Sequence, residues 1–402
     1  MSSSRKLSVT FHLTHDCNLR CPYCYTGAKV GRHMTDEVAT KAVDFSLAEA
    51  RHQQADHLEI VFFGGEPLMR LQQLCDVADQ FLERAEGLRL SFKLSTNGLL
   101  LNETTRRALA KRKVYVSVSL DGDPATQEQQ RPTPNGRPYA DQLAQMIPEW
   151  LEWNPCMNVT TVVTPAVADR LDQSVGWLVR QGFSYISIAL DFSADWSAAS
   201  MARLEKSLNR LAETYVRWHR DGRKVFVSCF DSRIQSHIRS NETQCACSFG
   251  LREFSIAPSG RLYPCVQFVG DDVGDSQYRI GDILTGFDET SRLSLHQQAK
   301  GDKSECGDCS LSGRCSKWCA CINWTSTGRL DLASPALCHY EQMLIPIADR
   351  IATELFKKRN AHFIHRHYNP SYPVLDFVEN LVIEERTQRD HERTTHAATT
   401  ES

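Results

Sequence analysis

Cys17, Cys21 and Cys24 stand in the run His15-Asp16-Cys17-Asn18-Leu19-Arg20-Cys21-Pro22-Tyr23-Cys24-Tyr25, three thiolates at the spacing C-x3-C-x2-C. Thiolate sulfur suits iron–sulfur clusters and zinc alike. A closed four-iron cluster normally takes four thiolates, so a set of three leaves one iron open to an exogenous ligand. The alternative reading of the same residues is part of a structural zinc site, for which cysteine pairs two residues apart are common.

The chain has 15 cysteines in 402 residues, and seven more of them are ordered along its C-terminal half. Cys247 is followed by twelve residues, Gly260, four residues and Cys265; then come Cys306-x2-Cys309-x5-Cys315-x3-Cys319 and finally Cys338. Metal ligation accounts for such a series; two structural zinc sites are its alternative form. Cys75, Cys156, Cys229 and Cys321 fall outside the series and read as free cysteines.

The elements that must position these thiols follow from the apolar pattern. Six β-rich runs, at 7–13, 58–63, 90–95, 114–120, 157–163 and 185–190, alternate with amphipathic segments such as 35–51 and 171–181. Strands alternating with helices predict βα units and a parallel sheet, with ligands gathered at the C-terminal strand ends. The small and polar residues fall there: Phe63-Gly64-Gly65-Glu66-Pro67, Ser95-Thr96-Asn97-Gly98 and Ser119-Leu120-Asp121-Gly122. The glycines would let backbone approach a ligand, and Glu66 adds an anionic acceptor. After residue 225 the cysteines crowd between Cys245 and Cys338, with little helical periodicity before 343–357. The run 384–402, poor in apolar residues, reads as disordered.

Composition excludes several classes. A formal net charge of −3 gives no basic footprint for nucleic acid or an anionic membrane. No stretch approaches the roughly 18 apolar residues of a membrane span, and the first residues lack a signal-peptide core, which together predict a cytoplasmic protein.

The triad followed by Gly64-Gly65-Glu66 resembles the radical S-adenosylmethionine (radical SAM) enzymes, and the seven-cysteine series resembles the SPASM extensions of their peptide-modifying members. The resemblance implies an α/β fold, a partial (β/α)6 barrel over residues 1–224, a SPASM domain over 225–345, and a C-terminal helix and tail over 346–402. It also implies three 4Fe–4S clusters and SAM. Cys17, Cys21 and Cys24 would hold the SAM-binding cluster, Glu66 the methionine ammonium, and Tyr23 an adenine face. Ser119 and Arg131 would face the SAM carboxylate or the substrate. Cys306, Cys309, Cys315 and Cys338 would hold an outer auxiliary cluster. Cys247, Cys265 and Cys319 would hold an inner one, with Cys245 as its fourth ligand or an iron left open to substrate.

The chemistry so implied is reductive cleavage of SAM to a 5'-deoxyadenosyl radical that abstracts hydrogen from a substrate, with an external electron donor. Among the resembling enzymes, anaerobic sulfatase maturases carry an Asp after the cysteine that matches Cys265, where this chain has Val266, which cannot take a proton. The resemblance therefore points to a maturase that crosslinks a ribosomally made peptide through a cyclophane, carbon–carbon or thioether bond. Formylglycine generation, a cofactor-biosynthesis reaction and a non-catalytic iron–sulfur regulator are the other readings. Tyr263, Asp191, Asp121 and Glu128 are candidate acid–base groups, and His362, His365 and His367 read as surface histidines. With the first strand starting near Leu7, no room is expected before the barrel for a leader-binding domain. A leader peptide would then use the barrel edge, adding as a strand, or the SPASM surface, or a separate protein.

Overall fold

The computed structural model describes residues 5–238, 247–301 and 304–369. Cys245 and the run 384–402 lie outside the described residues. The strands are β1 (Lys6–Thr14), β2 (His57–Gly64), β3 (Arg89–Thr96), β4 (Val114–Ser119), β5 (Asn158–Val163), β6 (Tyr185–Leu190), β7 (Phe226–Val227), β8 (Glu253–Ile256), β9 (Arg261–Tyr263), β10 (Gly281–Asp282) and β11 (Gly286–Phe287). Each of the six expected strands is present. β1 to β7 pair in parallel in chain order, and the connecting helices are α1 (Asp36–His52), α2 (Leu71–Arg84), α3 (Glu103–Lys111), α4 (Pro124–Gln130), α5 (Ala140–Trp153), α6 (Leu171–Gln181) and α7 (Ala198–Arg220).

Local chemistry sets the helix ends. Thr35 caps α1 by accepting the Val38 amide, with Asp36 and Glu37 in the first turn, and α6 ends on Gly182 at φ 109°. The inward faces bury Phe11, Phe62, Phe81 and Leu94 completely or nearly so. Side chains of this kind contribute about 1.5–3 kcal/mol each on full burial.

The cysteine-rich region joins this sheet. β8 pairs in parallel with the outer edge of β1, Ser8 opposite Glu253 through Phe11 opposite Ile256, and antiparallel β9, β10 and β11 continue it to eleven strands. Helices α8 (Ser228–Ile238), α9 (Glu289–Ala299), α10 (Ala320–Thr327), α11 (Pro335–Lys357) and α12 (Ala361–Tyr368) complete the chain. The expectation of little helix before residue 343 was wrong: α8, α9, α10 and the first two turns of α11 precede it. α9 and α10 bury only a few residues each, so they lack the long apolar stripe that marks a helix in sequence. The described residues contain no helix long and apolar enough to cross a membrane.

Candidate active site

A cavity of about 600 Å³ opens at the C-terminal ends of the parallel strands. Its wall includes Cys17, Cys21 and Cys24, together with Tyr23, Gly64, Gly65, Glu66, Ser119 and Arg131, so the residues expected to serve the cluster and SAM share one space.

The cysteine loop is fastened to the end of β2 by backbone. The Gly65 amide donates to Thr14 O and the Glu66 amide to Asp16 O, both at 2.8 Å. A Cβ at Gly64, where φ is +131°, would stand 2.3 Å from Thr14 O, and one at Gly65 2.0 Å from Asp16 O. A side chain at either glycine would collide with the cysteine loop, so the pair lets the strand end approach that loop.

The sulfurs have donors of their own. The Leu19 amide donates to Cys17 Sγ at 3.4 Å, Asn97 Nδ2 lies 3.9 Å from the same sulfur, and Thr26 Oγ1 lies 3.3 Å from Cys24 Sγ. Burial pushes the Cys17 thiol up to about 11. For Cys24 burial acts the same way, but Lys29 and Thr26 outweigh it and hold the thiol below its ordinary value. A bound cation deprotonates such thiols outright. Among the described residues no three His, Cys, Asp or Glu side chains converge as ligands of a single ion would. Cluster thiolates instead surround a multi-iron body, each on its own iron, and the donor set of three thiolates with amide donors fits that group.

Glu66 is 1% exposed, yet accepts from Thr96 Oγ1 at 2.8 Å, the Asn97 amide at 2.8 Å and the Leu68 amide at 3.0 Å. Burial prevails over these donors and pushes the carboxyl up to about 7. Such a group gains most from a cationic partner, which an ammonium would supply.

Arg131, the residue at the C-terminal end of α4, is 6% exposed. Its Nε and Nη2 each donate to Asp121 at 2.9 Å, and its guanidinium lies 5.4 Å from the Tyr23 ring centroid. The Tyr23 hydroxyl donates to the same carboxylate at 2.5 Å. Two of the three guanidinium nitrogens are therefore committed to Asp121, and Nη1 is the one left for a ligand. Tyr23 is oriented by Asp121 in the same way. Asp121 is not a free acid–base group, since it also accepts the Val162 amide at 2.8 Å.

Of the other acid–base candidates, Glu128 accepts the Tyr139 and Ala140 amides at the start of α5, and Tyr263 is 1% exposed. Asp191 alone of the four lines the cavity, at the end of β6. His367 is buried, not on the surface: its Nε2 is 3.4 Å from Asp231 Oδ1, with Arg366 Nε 3.3 Å from the same atom. His365 is exposed as expected.

Sequence reasoning missed the far wall. Arg233 of α8 pairs with buried Glu341 of α11, its Nε at 2.7 Å, and donates to Ser316 Oγ at 2.7 Å; Glu341 also accepts the Ser316 amide at 3.1 Å. These residues line the cavity beside Tyr340. Nothing local in the sequence joins them, because the partners are 83 and 108 residues apart. In the cysteine-rich region, burial and Glu253 push the Cys247 thiol up to about 12, with Cys265 and Cys319 adding to it. Cys315 is pushed equally far by burial and Glu341, with Cys306 among its neighbours, and Cys338 feels Cys309 and Cys306. The inner and outer cysteines thus gather in two places. Cys75 and Cys229 are buried elsewhere, while Cys321 lies beside Cys265.

Residues 11–145 match the family model of the radical SAM superfamily. The chain carries a radical SAM domain. An uncharacterised protein of Methanocaldococcus jannaschii is 28% identical over 178 residues, 44% of this chain and 60% of that protein. The serine-type anaerobic sulfatase-maturating enzyme of Klebsiella aerogenes is 25% identical over 82% of this chain and 85% of its own length. The radical SAM cyclopropyl synthase TigE of Paramaledivibacter caminithermalis is 21% identical over 84% and 73% respectively. In fold, the chain superposes on anSMEcpe with bound AdoMet at a TM-score of 0.74 and 19% identity, over 90% of this chain and 99% of that one. Streptococcus suis SuiB bound to precursor peptide SuiA gives a TM-score of 0.57 at 16% identity, over 83% and 76%. The likeness to anSMEcpe extends beyond the radical SAM domain into the cysteine-rich region.

Proposed function

We propose that the protein is a radical SAM peptide maturase that joins two positions of a ribosomally made peptide. The observation that carries this is the single cavity, which runs from Cys17, Cys21, Cys24 and Glu66 past Arg131 to Asp191, Tyr340 and the Arg233–Glu341 pair. It has one end for SAM and another for a peptide side chain.

When bound, the cluster and SAM supply a reducing electron and a 5'-deoxyadenosyl radical. The chain's own residues do the rest. Cys17, Cys21 and Cys24 would hold the cluster, three thiolates being one fewer than a closed four-iron cluster takes. Glu66 would receive the methionine ammonium, Arg131 and Ser119 would be the donors toward the carboxylate, and the Tyr23 ring would stand beside them. The apolar wall of Phe63, Ile188, Leu190, Phe192 and Leu344 keeps water from the reacting carbon. Forming a crosslink removes two electrons and two protons from the peptide, so one electron must leave after hydrogen abstraction. The inner and outer cysteines would hold two auxiliary clusters, whose chemistry would be electron transfer, and the SAM-binding cluster would need an external electron donor.

Crosslinking is favoured over formylglycine formation by Val266 and its neighbour. In the turn after Cys265, the side chain that reaches the cavity is Gln267, a neutral amide, and Val266 brings no carboxylate. SuiB bound to precursor peptide SuiA, anSMEcpe with bound Cp18Cys peptide and the cyclopropyl synthase TigE support the substrate class. The absence of a candidate membrane span among the described residues is compatible with the cytoplasmic setting proposed here.

The test is an anaerobic reaction of reconstituted protein with reductant, SAM and candidate precursor peptides encoded beside it. A crosslink appears as loss of two hydrogens with backbone fragmentation suppressed between the joined residues. A hydrazine-reactive aldehyde on a single residue would instead establish the formylglycine reading.

A further inference from the structure

The inner cysteine group contains a member that its motif spacing does not include. Cys321 follows Cys319 by two residues and sits in the first turn of α10, while Cys319 is the residue that caps this helix. Cys321 is 4% exposed and Cys265 is 8% exposed, and their Sγ atoms stand 3.0 Å apart although both are free cysteines. The fold thus brings two buried thiols together, close enough to be drawn apart onto one metal centre or to oxidise as a pair.

The surroundings favour ligation. Cys247 lies within electrostatic reach of both Cys265 and Cys319, so the group is not a pair but four sulfurs brought in by three segments. Cys319 and Cys321 begin α10, where the unpaired amides and the positive end of the helix favour anionic sulfur. Four thiolates are what a closed 4Fe–4S cluster takes.

We propose that Cys321 is the fourth thiolate of the inner auxiliary cluster, which is then held by Cys247, Cys265, Cys319 and Cys321 without Cys245. The proposal rests on the reading that this region holds iron–sulfur clusters. On binding, each thiol releases its proton to solvent and forms a sulfur–iron bond, with no change in the oxidation state of sulfur. A cluster so held has no iron open to substrate, which leaves electron transfer or structural support as its role and removes direct substrate binding.

The test uses the full chain, reconstituted anaerobically with iron and sulfide, as wild type, Cys321→Ala and Cys245→Ala. Iron and acid-labile sulfide per chain are measured, with electron paramagnetic resonance of the reduced protein and thermal melting before reconstitution. The expected result is a Cys245→Ala protein with wild-type iron and spectrum. Cys321→Ala should melt as wild type does yet lose up to one cluster of iron, or show an altered inner-cluster signal. The opposite pattern, with Cys245→Ala losing that signal and Cys321→Ala keeping it, overturns the assignment. So does an intact mass two hydrogens short that maps to a Cys265–Cys321 disulfide in reconstituted wild type. Wild-type protein with iron for the SAM-binding cluster alone overturns the auxiliary-cluster reading itself, and the assignment with it.

Discussion

The loop of Cys17, Cys21 and Cys24 is fastened by the sheet: it leaves β1, is bonded by backbone to the end of β2, and has Asn97 from the end of β3 against its first sulfur. Cys306, Cys309, Cys315 and Cys338 stand instead on short turns and the start of α11, and Cys309 and Cys338 are exposed. In the first region the protein fixes the geometry and the metal fits it. In the second, the backbone bonds at the cysteines are local, Cys309 N to Cys306 O, Cys315 N to Leu311 O and Cys338 N to Ser334 O, and the proposed metal binding would itself supply much of the order. Damage to the first should abolish chemistry, and damage to the second should lower stability and metal content while sparing SAM cleavage.

The largest effect belongs to the triple replacement of Cys17, Cys21 and Cys24 by Ala. It should abolish 5'-deoxyadenosine formation and remove one cluster of iron while the remaining iron stays, measured by chromatography and iron assay. If 5'-deoxyadenosine persists, the division between the two regions fails.

Arg131→Ala comes next. It leaves Asp121, 3% exposed, as a buried carboxylate without its cation, still accepting from the Tyr23 hydroxyl and the Val162 amide. Removing one partner of a buried pair costs about 3–5 kcal/mol, to be read from denaturant unfolding. A loss below about 1 kcal/mol would show that Asp121 finds water or stays protonated.

Glu66→Gln should weaken SAM binding by about ten- to a hundredfold, the range of a charge-assisted hydrogen bond. Its pH dependence sharpens the point. The folded carboxyl is raised to about 7, so it is neutral below that pH and SAM affinity should rise as pH passes upward through it. The same shift costs folding stability as pH climbs from the ordinary Glu value near 4.3 to about 7. Calorimetric titration across this interval should show the rise in wild type and a flat profile in the variant.

The smallest effect is expected of Cys338→Ala, which should lower iron and melting temperature but leave reductant-driven 5'-deoxyadenosine within about threefold of wild type, since a remote residue contributes little to the barrier there. A complete loss would mean that the second region is required for SAM cleavage.

What the sequence made legible was whatever is local. Each strand announces itself through a few consecutive residues, and the triad spacing needs eight. The partnerships that decide orientation were not legible, because they join distant segments: Tyr23 with Asp121, 98 residues apart, and Arg233 with Glu341, 108 apart. A glycine requirement was legible at Gly64 and Gly65, but not that the cysteine loop is a neighbour that approaches them, since the requirement does not name what approaches. Three histidines near the C-terminus read as a surface cluster, yet His367 turns inward to Asp231 because helical spacing puts His365 and His367 on different sides of α12. Pairing of β8 with β1 likewise depends on a strand more than 230 residues downstream, and short strands carry little pattern of their own.

That pairing bears on how the protein behaves in a tube. A long parallel strand with an open flank offers a ladder of unpaired amides and carbonyls on which another chain can grow. Here β8 covers four residues of the β1 flank, and the sheet ends on β7 and β11, each of two residues. A peptide seeking to add as a strand finds little length at either end of the sheet, and a second copy of the chain meets the same obstacle. The sheet is thereby protected from edge-to-edge aggregation at the high concentrations that spectroscopy of iron–sulfur proteins demands.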